Sequence, residues 1–271
     1  MRINNNIMAF NAFRNLTATN GLLGKNLEKL SSGFRINRAA DDATGLVVSQ
    51  ALRAQVSGLK VASRNAQDGV SVVQTAEGSL NEVQAMLNRM RDLSVQAANT
   101  GSTDATASSA AQSEINALAS EITRVSQATK FGSNTLLDGG YVKVFQIGAN
   151  AGEKLTVSLG VSLNASALGV SGLGVGTDAS ASAAITAIDA AISTISTTRA
   201  GLGAFQNRFE SIINNAQVTT ENLAASESRI RDTDMASEMV DFTKNQILMQ
   251  AGTAMLAQAD QVPNSTLRLL Q

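Results

Sequence analysis

Apolar residues recur with a seven-residue period near the start of the chain. Followed in alternating steps of four and three residues, the repeat contains a single polar member, Asn20. The predicted seam comprises Ala9, Phe13, Leu16, Asn20, Leu23, Leu27, Leu30 and Phe34. A strict seven-residue repeat favours a coiled-coil seam over a plain amphipathic helix packed on a core. Because a lone Asn in such a seam costs stability but specifies the register, we expect Asn20 to set the register of this helix.

A second and longer seven-residue repeat follows, and all its positions except Gln55 and Gly69 are apolar. It comprises Val48, Leu52, Gln55, Leu59, Ala62, Ala66, Gly69, Val73, Ala76, Leu80, Val83, Leu87 and Met90. A helix over this repeat would be roughly 65 Å long, which predicts an elongated architecture. Gly69 and Gly78 each weaken such a helix by about 1 kcal/mol, and we expect them to permit close approach of a neighbouring backbone.

The middle of the chain changes from helical to strand periodicity. A third helical pattern, with Ile115 and Ile122 on one face, lies between the turn-rich segments 98–109 and 130–140. The segments YVKVFQI and KLTVSL then predict two strands, and the second alternates apolar and polar residues. The linker between them suits a longer hairpin loop, so a β-hairpin is expected near 141–159.

The following segment, 164–182, is rich in Gly, Ser and Ala and predicts a flexible connection. Its glycines lack the spacing of a dinucleotide or P-loop motif, so we do not expect nucleotide binding. Beyond it, a seam recurs every seven residues at Ile195, Leu202, Phe209, Ala216, Leu223 and Ile230. A last helix carries a methionine-rich stripe, formed by Met235, Met239, Phe242, Met249 and Leu256. Both an adaptable partner surface and ordinary helix packing explain this stripe.

These elements predict a mainly α fold, an elongated coiled coil or helical bundle with a small β-hairpin region. Neither end helix has a core of its own, so we expect the first helix to pair with the last. The predicted organisation is an inner coiled-coil domain made from 1–44 and 231–271, and a rod domain made from 45–180 and the returning helix 181–230.

Composition narrows the chemistry. The charges are balanced, with 21 basic and 22 acidic residues, and a nucleic-acid or membrane-surface binder usually has a basic excess. The chain has no Cys and no His, so it lacks a thiolate nucleophile, the commonest general base and the commonest metal ligand. We therefore assign no catalytic, cofactor-binding or metal-binding residue and expect no enzyme. The N-terminal residues do not resemble a cleavable signal peptide, and no apolar run approaches the length of a membrane span.

Four long segments resemble bacterial flagellin, and together with their surroundings they cover nearly the whole chain. They are SSGFRINRAADDATGL (31–46), GLKVASRNAQDGVSVVQTAEGSLNEVQAMLNRMRDLSVQAAN (58–99), GAFQNRFESIINN (203–215) and RIRDTDMASEMVDFTKNQILMQAGTAMLAQADQ (229–261). The resemblance is to a short flagellin that has only the core domains. It implies a structural subunit that polymerises into the extracellular flagellar filament for motility.

The resemblance also implies partners and an export route. Besides other copies of the chain, flagellins meet a secretion chaperone on the C-terminal segment, and filament cap and hook-junction proteins. They leave the cell unfolded through the flagellum's own channel without signal cleavage, and their ends fold on assembly. By the same resemblance, Arg35, Arg38, Asp41 and Asp42 form the joint between the two domains. We expect these four side chains to form ion pairs within or between subunits.

A further implication concerns a Toll-like flagellin receptor, which in the family binds the rod domain of the monomer. The motifs LNRMRDLSVQAAN and QSEINAL match that surface, and they place Arg89, Leu93 and Glu114 as the possible contact. Asp92 stands where many relatives have Glu, which is a departure from the pattern. The alternative function is a hook–filament junction protein, which shares flagellin-like termini but matches RNAQDGVSVVQTAEGSL far less well.

Overall fold

The computed structural model describes residues 6–99, 101 and 104–268, with side chains described as far as residue 261. Five helices lie in this part of the chain: α1 (Ile7–Ser32), α2 (Ala43–Ala98), α3 (Ala105–Ala128), α4 (Asp178–Arg231) and α5 (Met235–Arg268). Two antiparallel two-stranded sheets pair β1 (Lys130–Phe131) with β2 (Asn134–Thr135), and β3 (Val142–Gln146) with β4 (Lys154–Ser158). The predicted mainly α fold with a β-hairpin is confirmed.

The chain forms two compact units. The terminal unit contains Met1–Ala54 and Glu221–Gln271, and the central unit contains Gln55–Thr220. Both divisions fall inside long helices, α2 and α4. The domain boundaries expected from the sequence, after residues 44 and 230, remain a prediction.

The central unit has one continuous apolar core, to which α2 contributes its heptad row. From Ala62 to Met90 every position of the predicted seam is buried. Helix α3 adds Ile115 and Ile122, and α4 adds Ile195 and Leu202, all at most 1% exposed. The seven-residue repeats therefore identified the core-facing side of these helices, because each of them has a single apolar stripe.

Phe209 and Gly69 show how closely α2 and α4 approach. The Phe209 ring is fully buried and meets Phe145 of β3 edge-on, with 5.5 Å between the ring centroids. A Cβ atom at Gly69 would lie 2.5 Å from the Phe209 ring, so only glycine fits there. A Cβ at Gly78 would meet nothing within 4 Å. The expectation that both glycines admit a neighbouring backbone is therefore corrected: Gly69 admits a ring, and Gly78 faces open space.

The hairpin covers one side of this core. Leu155 and Val157 on β4 are buried, and Asn65 of α2 donates a hydrogen bond of 3.0 Å from Nδ2 to the Gln146 carbonyl at the end of β3. The opposite face of β3 carries Val142 and Val144, each 56% exposed.

The expected flexible connection at 164–182 is wrong. Five of its apolar residues are buried in the core of the central unit: Ala165, Leu168, Val170, Val175 and Ala181. Gln112 of α3 ties the segment down, since its amide donates to the Leu173 carbonyl (2.7 Å) and accepts from the Val175 N–H (2.8 Å). The Gly- and Ser-rich composition hid a sparse set of apolar anchors, and the glycines permit the tight turns between them, as at Gly169 with φ of 70°.

By length and composition alone α4 could cross a membrane, contrary to the expectation that no apolar run is long enough. Its apolar side is occupied by protein, however, because Ile188, Ile195 and Phe209 are buried in the core of the central unit. An alanine-rich core helix passes the same test of length and composition.

Candidate self-assembly surface

Helices α1 and α5 of the terminal unit pack against each other along their lengths in antiparallel directions. At one end, Asn6 Nδ2 donates to the Ala259 carbonyl (2.8 Å), and at the other Lys29 Nζ lies 3.5 Å from Glu238 Oε2. The residues of α1 with reduced exposure include a stripe formed by Ala9, Ala12, Leu16, Thr19, Leu23, Asn26 and Leu30. Those of α5 are Glu238, Phe242, Asn245, Met249, Gly252, Leu256 and Ala259.

This stripe differs from the predicted seam at alternate positions. Leu16, Leu23 and Leu30 lie in it, as do Phe242, Met249 and Leu256 of α5. In contrast, Phe13 is 60% exposed, Leu27 57% and Met239 49%, and Asn20 is also exposed. Residues 9, 16, 23 and 30 form one row along α1. Because a helix has 3.6 residues per turn, either residues 12, 19 and 26 or residues 13, 20 and 27 can lie beside this row and complete a stripe.

Close packing explains which side is used. The observed stripe completes the row with Ala12, Thr19 and Asn26 instead of larger apolar residues. A Cβ at Gly252 of α5 would lie only 3.2 Å from Leu16 Cδ1, so the backbones approach closely there. Sequence reasoning followed side-chain size and therefore missed this row of small and polar residues. The facing small and polar residues of α5 recur every seven residues, at positions 238, 245, 252 and 259, and this repeat was the available signal.

Asn26, not Asn20, is the polar residue inside the helix pair, at 7% exposed. With its amide oriented to satisfy both atoms, its nitrogen donates to Glu238 Oε1 (3.0 Å) and its oxygen accepts from Asn245 Nδ2 (3.1 Å). Glu238 is held in addition by Lys29. A one-turn slip of α5 would leave these buried groups without partners, so this cluster specifies the register of the pair.

We expect Asn26→Ala to lower the stability of the helix pair by about 1–3 kcal/mol, because Glu238 and Asn245 lose a buried partner. Asn20→Ala is the matched control, since it removes the same group from an exposed position of α1. The measurement is the temperature at which assembled polymers of each variant dissociate. An equal effect of the two substitutions would contradict the assignment of register to Asn26.

The other faces of α1 and α5 expose an unusual amount of apolar surface. Large apolar side chains between 47% and 69% exposed cover both helices: Ile7, Met8, Phe10, Phe13, Leu22, Leu27, Met235, Met239, Val240, Ile247, Leu248 and Met255. A groove of about 470 Å³ runs between the helices, lined by Met8, Leu16, Leu248 and Met255 among others. Apolar patches of this kind mark interaction sites. We call this exposed set the apolar face.

Where the terminal unit leaves α1 and enters α5, two chain segments pair. The Arg35 N–H donates to the Arg231 carbonyl (2.7 Å), and the Thr233 N–H donates to the Gly33 carbonyl (2.9 Å). Gly33 ends α1 with φ of 75°, a conformation that favours glycine. The Arg231 guanidinium lies 4.2 Å from the Phe34 ring centroid, a cation–π contact. The two connections thus hold each other in place.

The four predicted joint residues lie in or beside this crossing. Arg38 forms an ion pair within the subunit, and Arg35, Asp41 and Asp42 bond to backbone groups. Arg35 donates to the Ile230 carbonyl (2.5 Å), and Arg38 pairs with Glu28 (2.9 Å). Asp41 accepts the Arg38 N–H (2.9 Å), and this bond holds the pKa of Asp41 below its usual range. Asp42 accepts the Gly45 N–H (2.8 Å) at the start of α2. Asp42 thus satisfies a backbone N–H that the start of α2 leaves without a helical partner, whereas Asp41 satisfies N–H groups of the connection before α2.

The three predicted receptor contacts are only partly available. Arg89 of α2 and Glu114 of α3 form a two-pronged ion pair, with Nε–Oε1 at 2.7 Å and Nη2–Oε2 at 3.2 Å. Both side chains are exposed, and Glu114 raises the pKa of Arg89. Leu93 is 4% exposed and lies in the core of the central unit. Its expected role as an apolar contact is therefore wrong. Leu93 lies four residues after Arg89, but its side chain is on the side of α2 that faces the core.

No group of three or more acidic side chains among the described residues could hold a metal ion. The chemistry that the terminal unit offers is therefore apolar contact with a few register-setting polar groups.

Comparison with known proteins identifies relatives over the whole length. Residues 3–141 match the family described as bacterial flagellin N-terminal helical region, and residues 185–270 match the bacterial flagellin C-terminal helical region. The chain is 47% identical to the flagellin of Bacillus subtilis (strain 168) over 305 residues, covering 100% of both chains. It is 46% identical to the flagellar filament 33 kDa core protein of Treponema phagedenis over 288 residues, again covering 100% of both.

Solved structures share the fold. The crystal structure of Bacillus cereus flagellin superposes with a TM-score of 0.51 at 30% identity, covering 60% of this chain and 94% of that chain. A putative flagellar hook-associated protein from Vibrio parahaemolyticus gives a TM-score of 0.59 at 16% identity, covering 71% of this chain and 100% of that one. At that identity the second likeness concerns the fold alone.

Proposed function

This chain belongs to the bacterial flagellin family and is a structural subunit of the flagellar filament, and from that premise we propose that the α1–α5 pair is the element through which its copies associate. The observation that carries the proposal is the apolar face. Its large side chains are exposed on both helices of the terminal unit. Burying them against neighbouring copies yields about 25 cal/mol per Å² of apolar surface, which drives association without a ligand.

The function is mechanical, so the chemistry needed is packing and register. The Asn26 cluster keeps α1 and α5 in one alignment and so presents the apolar face in one fixed pattern. Identical copies with a fixed, non-self-closing contact build a helical polymer.

A charge placed in the apolar face tests the proposal. Ile247 is 60% exposed and lines a shallow groove with Val240 and Lys244. We expect Ile247→Asp to raise the concentration needed for polymerisation at least about tenfold, which corresponds to about 1.4 kcal/mol per contact. Gln250→Asp adds the same charge to an exposed polar position of α5 and serves as control. Sedimentation and electron microscopy of purified protein give the readout, and normal polymers from Ile247→Asp would refute the assignment.

The subunit acts in the extracellular flagellum, and we propose that it is exported without signal cleavage. The exposed apolar residues of α5 also suit a secretion chaperone that covers this helix before export. Filament cap and hook-junction proteins are proposed partners at the two ends of the polymer. The junction-protein alternative is not favoured, because the full-length relatives at 46–47% identity are filament proteins. Long filaments from purified chain alone would distinguish the two.

We further propose recognition of the monomer by a Toll-like flagellin receptor through Arg89 and Glu114. The pair is exposed in the single chain, and a guanidinium beside a carboxylate supplies both donors and acceptors to a partner. We expect Arg89→Ala to reduce signalling by purified monomer in cells that carry the receptor. Arg124→Ala is the matched control, since Arg124 forms another exposed ion pair, with Glu121 on α3. Equal signalling by the wild type and Arg89→Ala would refute the role of Arg89.

A further inference from the structure

The methionines are unevenly distributed between the two units. Of the methionine side chains that the structure describes, those in the central unit are buried or partly buried: Met90 is 0% exposed and Met86 packs against the core. In the terminal unit Met8 is 65% exposed, Met255 64%, Met239 49% and Met235 47%. All four belong to the apolar face, and Met8 and Met255 line the groove between α1 and α5. We call these four the exposed methionines.

The composition concentrates oxidation chemistry on methionine. The chain contains no Cys, no Trp and no His, which are the other side chains that oxidants commonly attack. A hydrogen peroxide molecule that meets the free subunit therefore finds thioether sulfur as its main target. Since the rate of such oxidation follows exposure, the exposed methionines react first and Met90 last.

We propose that the exposed methionines are oxidation sites that control the assembly competence of the free subunit, an inference that rests on the proposed role of the apolar face in assembly. The sulfur donates an electron pair to one peroxide oxygen, an S–O bond forms, and the O–O bond breaks. The other oxygen leaves as water, so the peroxide is reduced and the thioether becomes a sulfoxide.

Formation of the sulfoxide makes the apolar face more polar. Its S–O group is a strong hydrogen-bond acceptor on a side chain that was apolar. Burying that group between subunits without a donor costs free energy that the thioether did not cost. In its groove Met239 has the apolar neighbours Val240 and Ile247. The polar neighbours there are Lys244 and Thr243, whose hydroxyl already donates to the Met239 carbonyl (2.8 Å). Oxidation before assembly therefore weakens association, whereas subunits already in a polymer have these sulfurs covered.

The test compares free and assembled protein. Purified full-length monomer and preformed filaments are exposed to hydrogen peroxide, and the gain of one oxygen at each methionine is followed by peptide mass spectrometry. We expect the exposed methionines to oxidise several times faster than Met86 and Met90 in the monomer, and to be protected in filaments. Oxidised monomer should lose filament formation and regain it after treatment with the two methionine sulfoxide reductases, which act on the two sulfoxide epimers.

Two variants separate the possible causes. The first replaces the exposed methionines and Met249, which is half-buried between α1 and α5, with Leu, a change of similar volume. It should assemble after peroxide treatment, whereas a variant with Met86→Leu and Met90→Leu should remain sensitive. Normal assembly of wild-type monomer with oxidised exposed methionines would overturn the inference, as would equal oxidation in monomer and intact filaments. Failure of untreated wild type to form filaments would instead overturn the proposed function.

Discussion

Deleting residues 235–271 is expected to abolish filament formation while leaving the central unit folded. The deletion removes α5 and its packing against α1, including the contacts of Phe242, Met249 and Leu256, and leaves only the crossing at the end of α1. A large apolar side chain contributes about 1.5–3 kcal/mol when fully buried, so α1 without this row has too little packing to keep a fixed position. Most of the stability of a helix in a protein comes from the packing of its amphipathic face, and α1 loses that packing when α5 is removed.

The central unit does not depend on that segment. Its core is built from side chains of α2, α3, α4, the hairpin and the segment before α4. These buried side chains, from Ala66 to Phe209, all lie within Gln55–Thr220. Thermal unfolding followed by helical circular dichroism should therefore show a cooperative transition close to that of the full chain. Sedimentation in concentrated sulfate, which strengthens apolar association, measures polymerisation. Filaments of normal appearance from the truncated chain would contradict the proposed role of the helix pair.

Replacing Gly69 is expected to have opposite effects in two backgrounds. In the wild type, Gly69→Ala places a methyl group 2.5 Å from the Phe209 ring, and overpacking of this kind costs about 1–3 kcal/mol. Phe209→Ala alone should destabilise the central unit by about 3–5 kcal/mol, because it leaves a cavity and removes the edge-on contact with Phe145. With the ring absent, Gly69→Ala should instead stabilise, since alanine favours the helix by about 1 kcal/mol.

Gly78→Ala provides the matched control for this reversal. A Cβ at Gly78 meets nothing within 4 Å, so the substitution should stabilise the monomer by about 1 kcal/mol in both backgrounds. Denaturant unfolding of the monomer gives the free energies for the double-mutant cycle. The same sign for Gly69→Ala with and without Phe209 would show that the ring does not determine the need for glycine.

The sequence predicted the central helices better than the end helices for a physical reason. On α2 the apolar row from Ala62 to Met90 is the only continuous stripe, so periodicity and burial agree. On α1 the large apolar residues beside the row containing Leu16 and Leu23 lie on the exposed side, and the side that packs on α5 carries small and polar residues. A hydrophobic pattern does not distinguish the exposed side of α1 from the side that packs on α5. The small residues opposite Gly252 identify the packed side.

Residue-level roles were harder to predict than elements. Arg89 and Glu114 do lie together, but Leu93 points inward. A spacing of four residues predicts that Arg89 and Leu93 share a side of the helix, and it does not predict which of them lies at the buried edge of that side. Near the crossing, Asp41 accepts a backbone N–H of the connection before α2, and Asp42 accepts one of the first turn of α2. Such side-chain to backbone bonds depend on the path of the main chain. Residue types and their spacing in the sequence do not determine that path. The anchors within 164–182 were missed because low complexity outweighed five scattered apolar residues.

The bond from Asn6 to Ala259 joins residues 253 positions apart in the chain. Closing a flexible loop of that length costs about 5 kcal/mol in the random-chain estimate. Helix α1 therefore has no partner until α5 has been made, and co-translational folding does not apply to it. Until α5 has been made, the α1 segment has no partner and its apolar residues are exposed. Early release, ribosome stalling or loss of the final codons would expose the cell to a nascent chain prone to aggregation.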